Sequence, residues 1–220
     1  MDHWEDDCTW IWTAVDSDSR AVLGHVVGKR CQRNANRMLQ IVKGRLFGIP
    51  LFVSDGLKMY QKSILKSYGV QTQFPRTGLV GRPRGPALVP PPGLRYAQII
   101  KHHRNGHLLC VERRVVFGEV NSLEITTSHV ERCNLTMRQE NRRLARKTLG
   151  FSRREEPLDD AMCLFFAYFN FCRSHLSLRY RDMVGLGAKR TPMMILGLSD
   201  HVWSMRELLT FPYYKISVCN

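Results

Sequence analysis

Acidic residues are scarce in this 220-residue sequence relative to basic ones. Nineteen Asp and Glu stand against 33 Lys and Arg, which gives a formal net charge of +14. A cation that neutralises a phosphate releases condensed counterions, so such an excess favours a polyanionic partner. Composition by itself leaves DNA, RNA and an anionic membrane surface open as that partner.

Long apolar runs and secretory features are also lacking. The most apolar run, Cys163–Phe169, is much shorter than the roughly 20 residues of a membrane-spanning helix, so it predicts a buried helix. The first ten residues are acidic and contain no apolar h-region, so we predict no signal peptide. Seven cysteines without a C-x-x-C pair argue against a disulfide framework and a zinc ribbon. We therefore expect a cytoplasmic protein without a membrane partner.

Several common catalytic motifs are missing. The patterns G-x-x-x-x-G-K-[ST], H-E-x-x-H and G-x-S-x-G do not occur, so nucleotide hydrolysis and serine or zincin chemistry have no support. His102, His103, His107 and Cys110 could coordinate zinc, but their spacing matches no closed site and their surroundings are basic and proline-rich. The strongest local candidate for chemistry is instead a carboxylate.

Hydrophobic patterns predict an α/β chain that begins with a hairpin, a helix, a strand and a second helix. Aromatic and β-branched residues at Trp10–Val15 and Ala21–Val27 flank turn residues and predict the β-hairpin. Apolar residues three and four apart predict an amphipathic helix over Asn34–Leu46. The continuous apolar run Leu51–Asp55 predicts a strand buried on both faces, and helical spacing resumes over Leu57–Ser67.

A basic, proline- and glycine-rich stretch interrupts this order at about residues 74–95. Five prolines between Pro83 and Pro92 make a regular helix or a central strand improbable there. Strands are predicted around Tyr96–Ile100 and Leu108–Phe117. Between Arg76 and Arg114 the chain has eight Lys and Arg and one acidic residue. Two interpretations stay open: a solvated linker, or an arm that follows phosphates.

The remaining patterns are helical. One long helix is predicted over Ser128–Leu149. A second is predicted over Pro157–Cys172, with Pro157 at its first position and apolar residues almost all round, so it should be packed inside. Thr191-Pro192 and Ser199–Trp203 predict short capped helices in the tail.

Two carboxylates could hold a metal ion. Asp55 ends the buried strand, where a carboxylate can bind Mg²⁺, although Ser54-Asp55-Gly56 could equally be a turn or a helix N-cap. Glu131 could complete a capping box with Ser128. It also stands in a stretch with six Lys and Arg between Arg132 and Lys147, which fits a metal ligand beside DNA phosphate.

Several blocks resemble the catalytic part of bacterial DDE-type insertion-sequence transposases, in the insertion-sequence-one-like group. Thr126–Arg154 is similar to the family signature VERxNLTxRxxxRRLxRKTxxFSK, and Ala167–Arg179 is similar to the YNFxRxHxSLR block that follows it. Trp10–Arg30, Ser54–Tyr60 and Leu198–Leu209 fit the same family in the same order. The resemblance covers nearly the whole chain.

The resemblance implies an α/β, ribonuclease H-like fold: a mixed sheet with flanking helices, in which an antiparallel meander precedes helix–strand–helix. The family's second and third catalytic acids map onto Asp55 and Glu131, which would hold Mg²⁺ or Mn²⁺ for cleavage and transfer of double-stranded DNA. We also expect phosphate contacts from four cations, against the alternative of a solvated basic face: Arg138, Arg142, Arg143 and Lys147.

The resemblance is incomplete at the N-terminus. The family's first strand, D-E-x-W-S-F, and its first catalytic Asp have no clear match, so we expect an N-terminally truncated domain, with Asp2 and Asp16 as weak substitutes. The predicted catalytic domain spans residues 1–180, and residues 181–220 form a helical tail. Its partners would be element ends and target DNA, bound as a homo-oligomer at the nucleoid.

Three functions follow from these patterns. The first is a transposase whose cleavage and strand transfer are weakened or lost by truncation. The second is a non-catalytic DNA-binding relic, or an inhibitor that pairs with full-length transposase. The third is an RNA-binding or ribonuclease H-type nuclease, which is disfavoured because no RNA-recognition motif is present.

Overall fold

The computed structural model describes residues 8–74, 85–144, 149–181 and 187–212. They form a mixed α/β structure with parallel and antiparallel strand pairs flanked by helices. Contacts divide the chain into two compact units. Unit 1 contains the residues through Ala14 together with Leu23–Leu135, and unit 2 contains Val15–Val22 with the residues from Thr136 onward. The predicted extent of the catalytic domain, residues 1–180, stays a prediction.

The first two strands form the predicted hairpin. Strands β1 (Trp10–Val15) and β2 (Val22–Gly28) pair as a two-stranded sheet. Helix α1 (Gln32–Lys43) follows and confirms the predicted amphipathic helix, although it ends three residues earlier than expected. Beyond Gly44 the i→i−4 pattern changes to a tighter turn, in which the Arg45 N–H donates to Val42 O at 3.1 Å. Trp12 and Val26 pack against the buried face of α1.

A three-stranded mixed sheet is the centre of unit 1. Strand β3 (Leu51–Asp55) runs parallel to β6 (Arg95–Arg104), which pairs antiparallel with β7 (His107–Phe117). These strands confirm the three sequence predictions in this region. The expectation that β3 is buried on both faces is wrong: four of its residues are half-buried and Asp55 is exposed. Within the described residues β3 is the end strand of this sheet, so it has a strand neighbour on one side only.

Helix α2 (Lys58–Tyr68) and α1 cover one face of the sheet. Their core cluster with the sheet contains fully buried residues from both layers: Leu39, Ile64, Tyr68, Leu94 and Tyr96. A separate cluster on the opposite face joins Ala97, Ile99 and Ile125, with Val53 packed against it. Tyr96 therefore points to the face covered by α1 and α2, whereas Val53, Ala97 and Ile99 point to the opposite face.

The basic stretch contributes short strands and a long exposed ribbon. Strand β4 (Val70–Thr72) pairs antiparallel with β5 (Ala87–Val89), and residues 75–84 between them lie outside the described ranges. The β6–β7 ribbon turns at Asn105-Gly106, both with positive φ (52° and 80°), as a two-residue hairpin of this type requires. Beyond Ile100 the ribbon side chains are mostly exposed.

Helix α3 (Ser128–Glu140) is nine residues shorter than the helix predicted over Ser128–Leu149. The backbone N–H of Arg143 donates to Asn141 Oδ1 at 3.0 Å, and residues 142–144 form a short 3-10 turn. An Asn side chain that accepts a backbone N–H two residues on competes with the helical hydrogen bonds, which explains the early end. Unit 1 ends within this helix, after Leu135.

Unit 2 is built around α4 (Glu155–Phe171). The helix begins two residues before Pro157, so the expected proline at the first helical position is wrong. The expectation of burial all round is also wrong, because Leu164 is 46% exposed. A single stripe at helical spacing is buried instead, and it supplies the core of the unit: Leu158, Met162, Phe165, Phe166 and Phe169.

Asn170, near the end of α4, makes a paired contact with the backbone of Val22. Its Oδ1 accepts the N–H of Val22 at 2.9 Å, and its Nδ2 donates to the carbonyl of Val22 at 3.0 Å. Both bonds are buried. The carboxamide therefore supplies the same pair of bonds that a residue on a neighbouring strand would supply.

The tail contains two short strands, β8 (Tyr180–Arg181) and β9 (Gly187–Ala188), and two short helices, α5 (Pro192–Ile195) and α6 (Met205–Thr210). Thr191 caps α5, as predicted. The second cap is Ser204 in a capping box with Glu207, and Ser199–Trp203 precedes the helix it was expected to begin. Over the described residues, none of the helices combines the length and apolar character required for a bilayer span.

Candidate active site

Asp55 lies exposed at the carboxyl end of β3, at the corner that leads into α2. Its Oδ1 accepts the backbone N–H of Leu57 at 3.1 Å. This is a turn contact, so the turn interpretation of Ser54-Asp55-Gly56 is correct. The N-cap interpretation is wrong, because α2 begins at Lys58 with Leu57 in the cap position. The turn fixes the carboxylate at the strand end.

Ser54, the residue before Asp55, belongs to a hydrogen-bond network with two side chains of β6. The hydroxyls of Ser54 and Tyr96 are hydrogen-bonded at 2.8 Å, and Gln98 Nε2 donates to the Tyr96 hydroxyl, also at 2.8 Å. Burial raises the pKa of Tyr96, and the negative charge of Asp55 adds to this rise. Burial and then Asp55 also raise the pKa of Tyr60.

Glu131 lies in the first turn of α3 and is held by two donors on one oxygen. Lys101 Nζ is 2.6 Å from Glu131 Oε1, and the Thr127 hydroxyl donates to the same atom at 2.9 Å. The hydrogen bond from Lys101 is the main cause that lowers the pKa of Glu131 below its usual value. Glu131 is thus ionised and oriented toward β6 at neutral pH.

The capping-box interpretation of Ser128 and Glu131 is wrong. Ser128 is the first helical residue rather than the cap, and its backbone N–H donates to Thr126 Oγ1 at 3.2 Å. The Ser128 N–H, which would donate to Glu131 in a capping box, therefore donates to Thr126 instead. The Glu131 side chain instead accepts hydrogen bonds from the Thr127 hydroxyl and from Lys101.

The strand register brings both acids to one end and one face of the sheet. Asp55 pairs with Ile99 on the parallel neighbour β6, and Lys101 lies two residues further on, roughly 7 Å along the strand. Val53 and Ile99 contact the same core cluster, so alternation along the strands puts Asp55 and Lys101 on that face too. Lys101 in turn binds Glu131, so the register relates Asp55 to the residue that holds the second carboxylate.

The four predicted phosphate-binding cations do not form one helical stripe. Arg138 is exposed on α3, whereas Arg142 and Arg143 are exposed in the 3-10 turn beyond the end of that helix. Arg143 also donates from Nη1 to Ser152 Oγ at 2.9 Å. Lys147 lies outside the described residues. The three described arginines are in unit 2, and their contact with phosphate stays a prediction.

The other candidate ligands have different uses. Strand alternation puts His102 and His103 on opposite faces of the ribbon. His102 Nε2 is 3.1 Å from Glu112 Oε2. Asp16 Oδ2 accepts the N–H (2.9 Å) and the hydroxyl (2.5 Å) of Ser19 in the β1–β2 turn. Asp2 lies outside the described residues.

Sequence reasoning missed Lys101 and the Tyr96–Gln98 network. Lys101 binds an acid 30 residues further along the chain, and only the approach of β6 to α3 reveals the pair. The alternation of Tyr96 and Gln98 was a usable signal, because residues two apart on a strand share a face. Two polar side chains on the buried face of a strand require hydrogen-bond partners.

Comparison of the chain with protein-family models, with curated proteins and with solved structures gave no match. The transposase resemblance therefore stays an inference from the motifs and from the positions of the acids.

Proposed function

We propose that this chain binds double-stranded DNA and catalyses metal-dependent cleavage and transfer of its strands, as a DDE-type transposase with a ribonuclease H-like fold. The observation that supports the proposal is the register of β3 with β6, which puts Asp55 and Lys101, the partner of Glu131, at one end and face of a mixed sheet. The net charge of +14 supports a polyanionic substrate.

The two acids fit a hard divalent cation such as Mg²⁺ or Mn²⁺. Both side chains are exposed, and both offer the carboxylate oxygens that these ions prefer. Asp55 Oδ1 and Glu131 Oε1 carry the hydrogen bonds described above, so the second oxygen of each carboxylate is the first available ligand atom. Bound there, a divalent cation would stabilise negative charge on the phosphate oxygens.

The proposed reaction is an in-line substitution at phosphorus. An oxygen nucleophile, water for cleavage or a 3′-hydroxyl for transfer, forms a new P–O bond while the bond from phosphorus to the leaving oxygen breaks. The nucleophile loses its proton to solvent and the leaving oxygen gains one. Asp55 and Glu131 contribute fixed negative charge at the sheet end, and their supports, the Leu57 turn and Lys101, hold that charge in place.

A direct test is nicking of supercoiled and element-end duplex DNA by the purified chain with Mg²⁺ or Mn²⁺. We expect slow nicking that requires the metal and that is lost in Asp55→Ala and in Glu131→Ala. Glu124→Ala is a matched control, because Glu124 is another exposed carboxylate of unit 1 and its ion pair with Arg95 is long, at 3.8 Å. Metal-dependent nicking that survives both acid substitutions would refute the assigned site.

A second candidate function is DNA binding without catalysis, as a relic or as an inhibitor of full-length transposase. The Lys101 contact favours it, because an ammonium group occupies the position beside Glu131 where a cation would otherwise sit. This function predicts tight duplex binding with no nicking in either metal, and no change in binding for Asp55→Ala or Glu131→Ala. Nicking by the wild-type chain would exclude it.

A further inference from the structure

A cavity of about 430 Å³ lies at the β3–α2 corner, on the α2 side of the mixed sheet and so on the face opposite to the Asp55 side chain. Gly56, at the β3–α2 corner, forms part of its wall, and the first two turns of α2 and the strands β6 and β7 form the rest. Its polar lining consists of three cations and two carboxamides: Lys58, Lys62, Arg114, Gln61 and Gln98. All of these residues belong to unit 1. The lining contains no carboxylate.

The positive charge of this cavity is largely uncompensated. Lys58 and Lys62 are exposed, one helical turn apart, and neither forms an ion pair with another described residue. Arg114 pairs with Glu112 at 2.8 Å, but that carboxylate also binds His102. Two free ammonium groups and a shared guanidinium thus converge on one concave surface, which is the arrangement that binds an anion.

The neutral part of the lining is suited to a phosphate rather than to a carboxylate or halide alone. Gln98 is only 6% exposed, and the Tyr96 hydroxyl fixes its amide group. Gln61 brings a second, exposed amide. Phosphate presents several acceptor oxygens, so it can use ammonium and amide donors at the same time. The volume also leaves room for the sugar that a backbone phosphate carries.

We propose that this cavity binds a phosphodiester of the DNA backbone other than the one presented to Asp55, which lies on the opposite face of the sheet. The assignment of a second phosphodiester rests on the proposed function, whereas the preference for a phosphate group rests on the cavity itself. A free phosphate or a nucleotide shares this chemistry and is the competing source. The cavity would then position the duplex relative to the acids, a task distinct from the one expected of Arg138, Arg142 and Arg143.

The test compares two lysines on the same helix. Lys62→Ala removes a cation of the cavity, and Lys66→Ala removes an exposed cation one turn further along α2, outside the cavity lining. Affinity for a fluorescent duplex is measured without divalent metal over a range of salt concentrations. We expect Lys62→Ala to lower the slope of log K against log salt by about 0.9, the value of one lost phosphate contact, and Lys66→Ala to leave it unchanged.

A second arm titrates inorganic phosphate and follows the amide signals of Gly56 and Gln98 by NMR. Phosphate shifts in the wild type that are lost in Lys62→Ala, together with the slope change, support the proposal. Equal slopes for the two lysine variants would overturn it, and phosphate shifts without a slope change would assign the cavity to a free phosphate. Equal thermal unfolding midpoints for all three proteins show that folding is unaffected.

These outcomes separate the cavity from catalysis, because neither arm uses metal or strand cleavage. A slope change in a chain that never nicks DNA would retain the phosphate site and reject the proposed enzyme. Nicking with equal slopes for Lys62→Ala and Lys66→Ala would retain the proposed enzyme and reject the phosphate site.

Discussion

The corner between β3 and α2 and the first turn of α3 each present one exposed carboxylate, but they hold it in different ways. At the corner, Asp55 binds a backbone N–H two residues away. In α3, Glu131 binds Lys101, which lies 30 residues away on another element. The first acid is fixed by local turn chemistry and the second by tertiary structure. The hydrogen bond of Asp55 can therefore be predicted from adjacent residues in the sequence, whereas that of Glu131 depends on the tertiary structure.

The largest expected effect tests whether the two acids act as one unit. If both hold the same metal ions, Asp55→Ala and Glu131→Ala should each lower the nicking rate by about 100-fold or more, the size expected for losing one group that stabilises the transition state. The double variant should lose little beyond either single variant, since residues that act together are strongly non-additive. Single-turnover nicking rates measure all three.

Losses that multiply in the double variant would contradict this prediction. The two acids would then act at separate steps and would belong to two sites rather than to one metal site. Glu124→Ala again serves as the control.

A smaller effect concerns the support of the Asp55 corner. Tyr96→Phe removes the hydroxyl that Ser54 and Gln98 share, and it leaves the Gln98 amide buried without this partner. We expect the free energy of unfolding to fall by about 1–3 kcal/mol, the cost of an unsatisfied buried polar group. Urea denaturation measures this loss. Ser54→Ala, which leaves the Gln98 bond intact, should cost less, and an equal cost would argue against the network.

The smallest effect concerns the Lys101–Glu131 pair. In Lys101→Met the pKa of Glu131 should rise toward its usual value, because the hydrogen bond that lowers it is gone. The wild-type pKa is depressed in the folded state, so the pair stabilises the protein above the unfolded pKa, near 4.3, and this stability is lost as pH falls through the folded pKa. The pair is about half exposed, so we expect roughly 0.2–1 kcal/mol.

NMR titration of the Glu131 carboxyl carbon and urea denaturation at pH 7 and pH 3 measure these two quantities. A stability difference between wild type and Lys101→Met that persists at pH 3 would show that the Lys101 side chain contributes through packing, and the contrast between the two acids would weaken.

Much of the secondary structure could be predicted from local patterns. The hairpin, α1, β3, α2 and the β6–β7 pair follow from periodicity and turn residues. The wrong predictions concern where a helix ends and which of its faces are buried. Asn141 stops α3 through a bond to the backbone N–H of Arg143, and Leu164 is exposed although the α4 sequence is apolar almost all round. A helical pattern does not reveal where a capping side chain competes, or which apolar face lacks a neighbour.

For the site, the sequence indicated the two acids, and the structure added their surroundings. Asp55 was identifiable because a strand end and a turn are local features. Lys101 and the cavity cations Lys58, Lys62 and Arg114 were not, because their relation to the acids depends on strand register and on how α2 packs over the sheet. Register is a property of two strands together, and a single strand sequence leaves it open.

The paired bonds between Asn170 and Val22 have a consequence for biosynthesis. Val22 leaves the ribosome 148 residues before the side chain that satisfies its backbone. At roughly 5–20 residues per second, this interval is about 7–30 s. During that time the start of β2 must satisfy its N–H and carbonyl with water or with a transient partner. The native bonding of this backbone segment is therefore completed only after α4 has been synthesised.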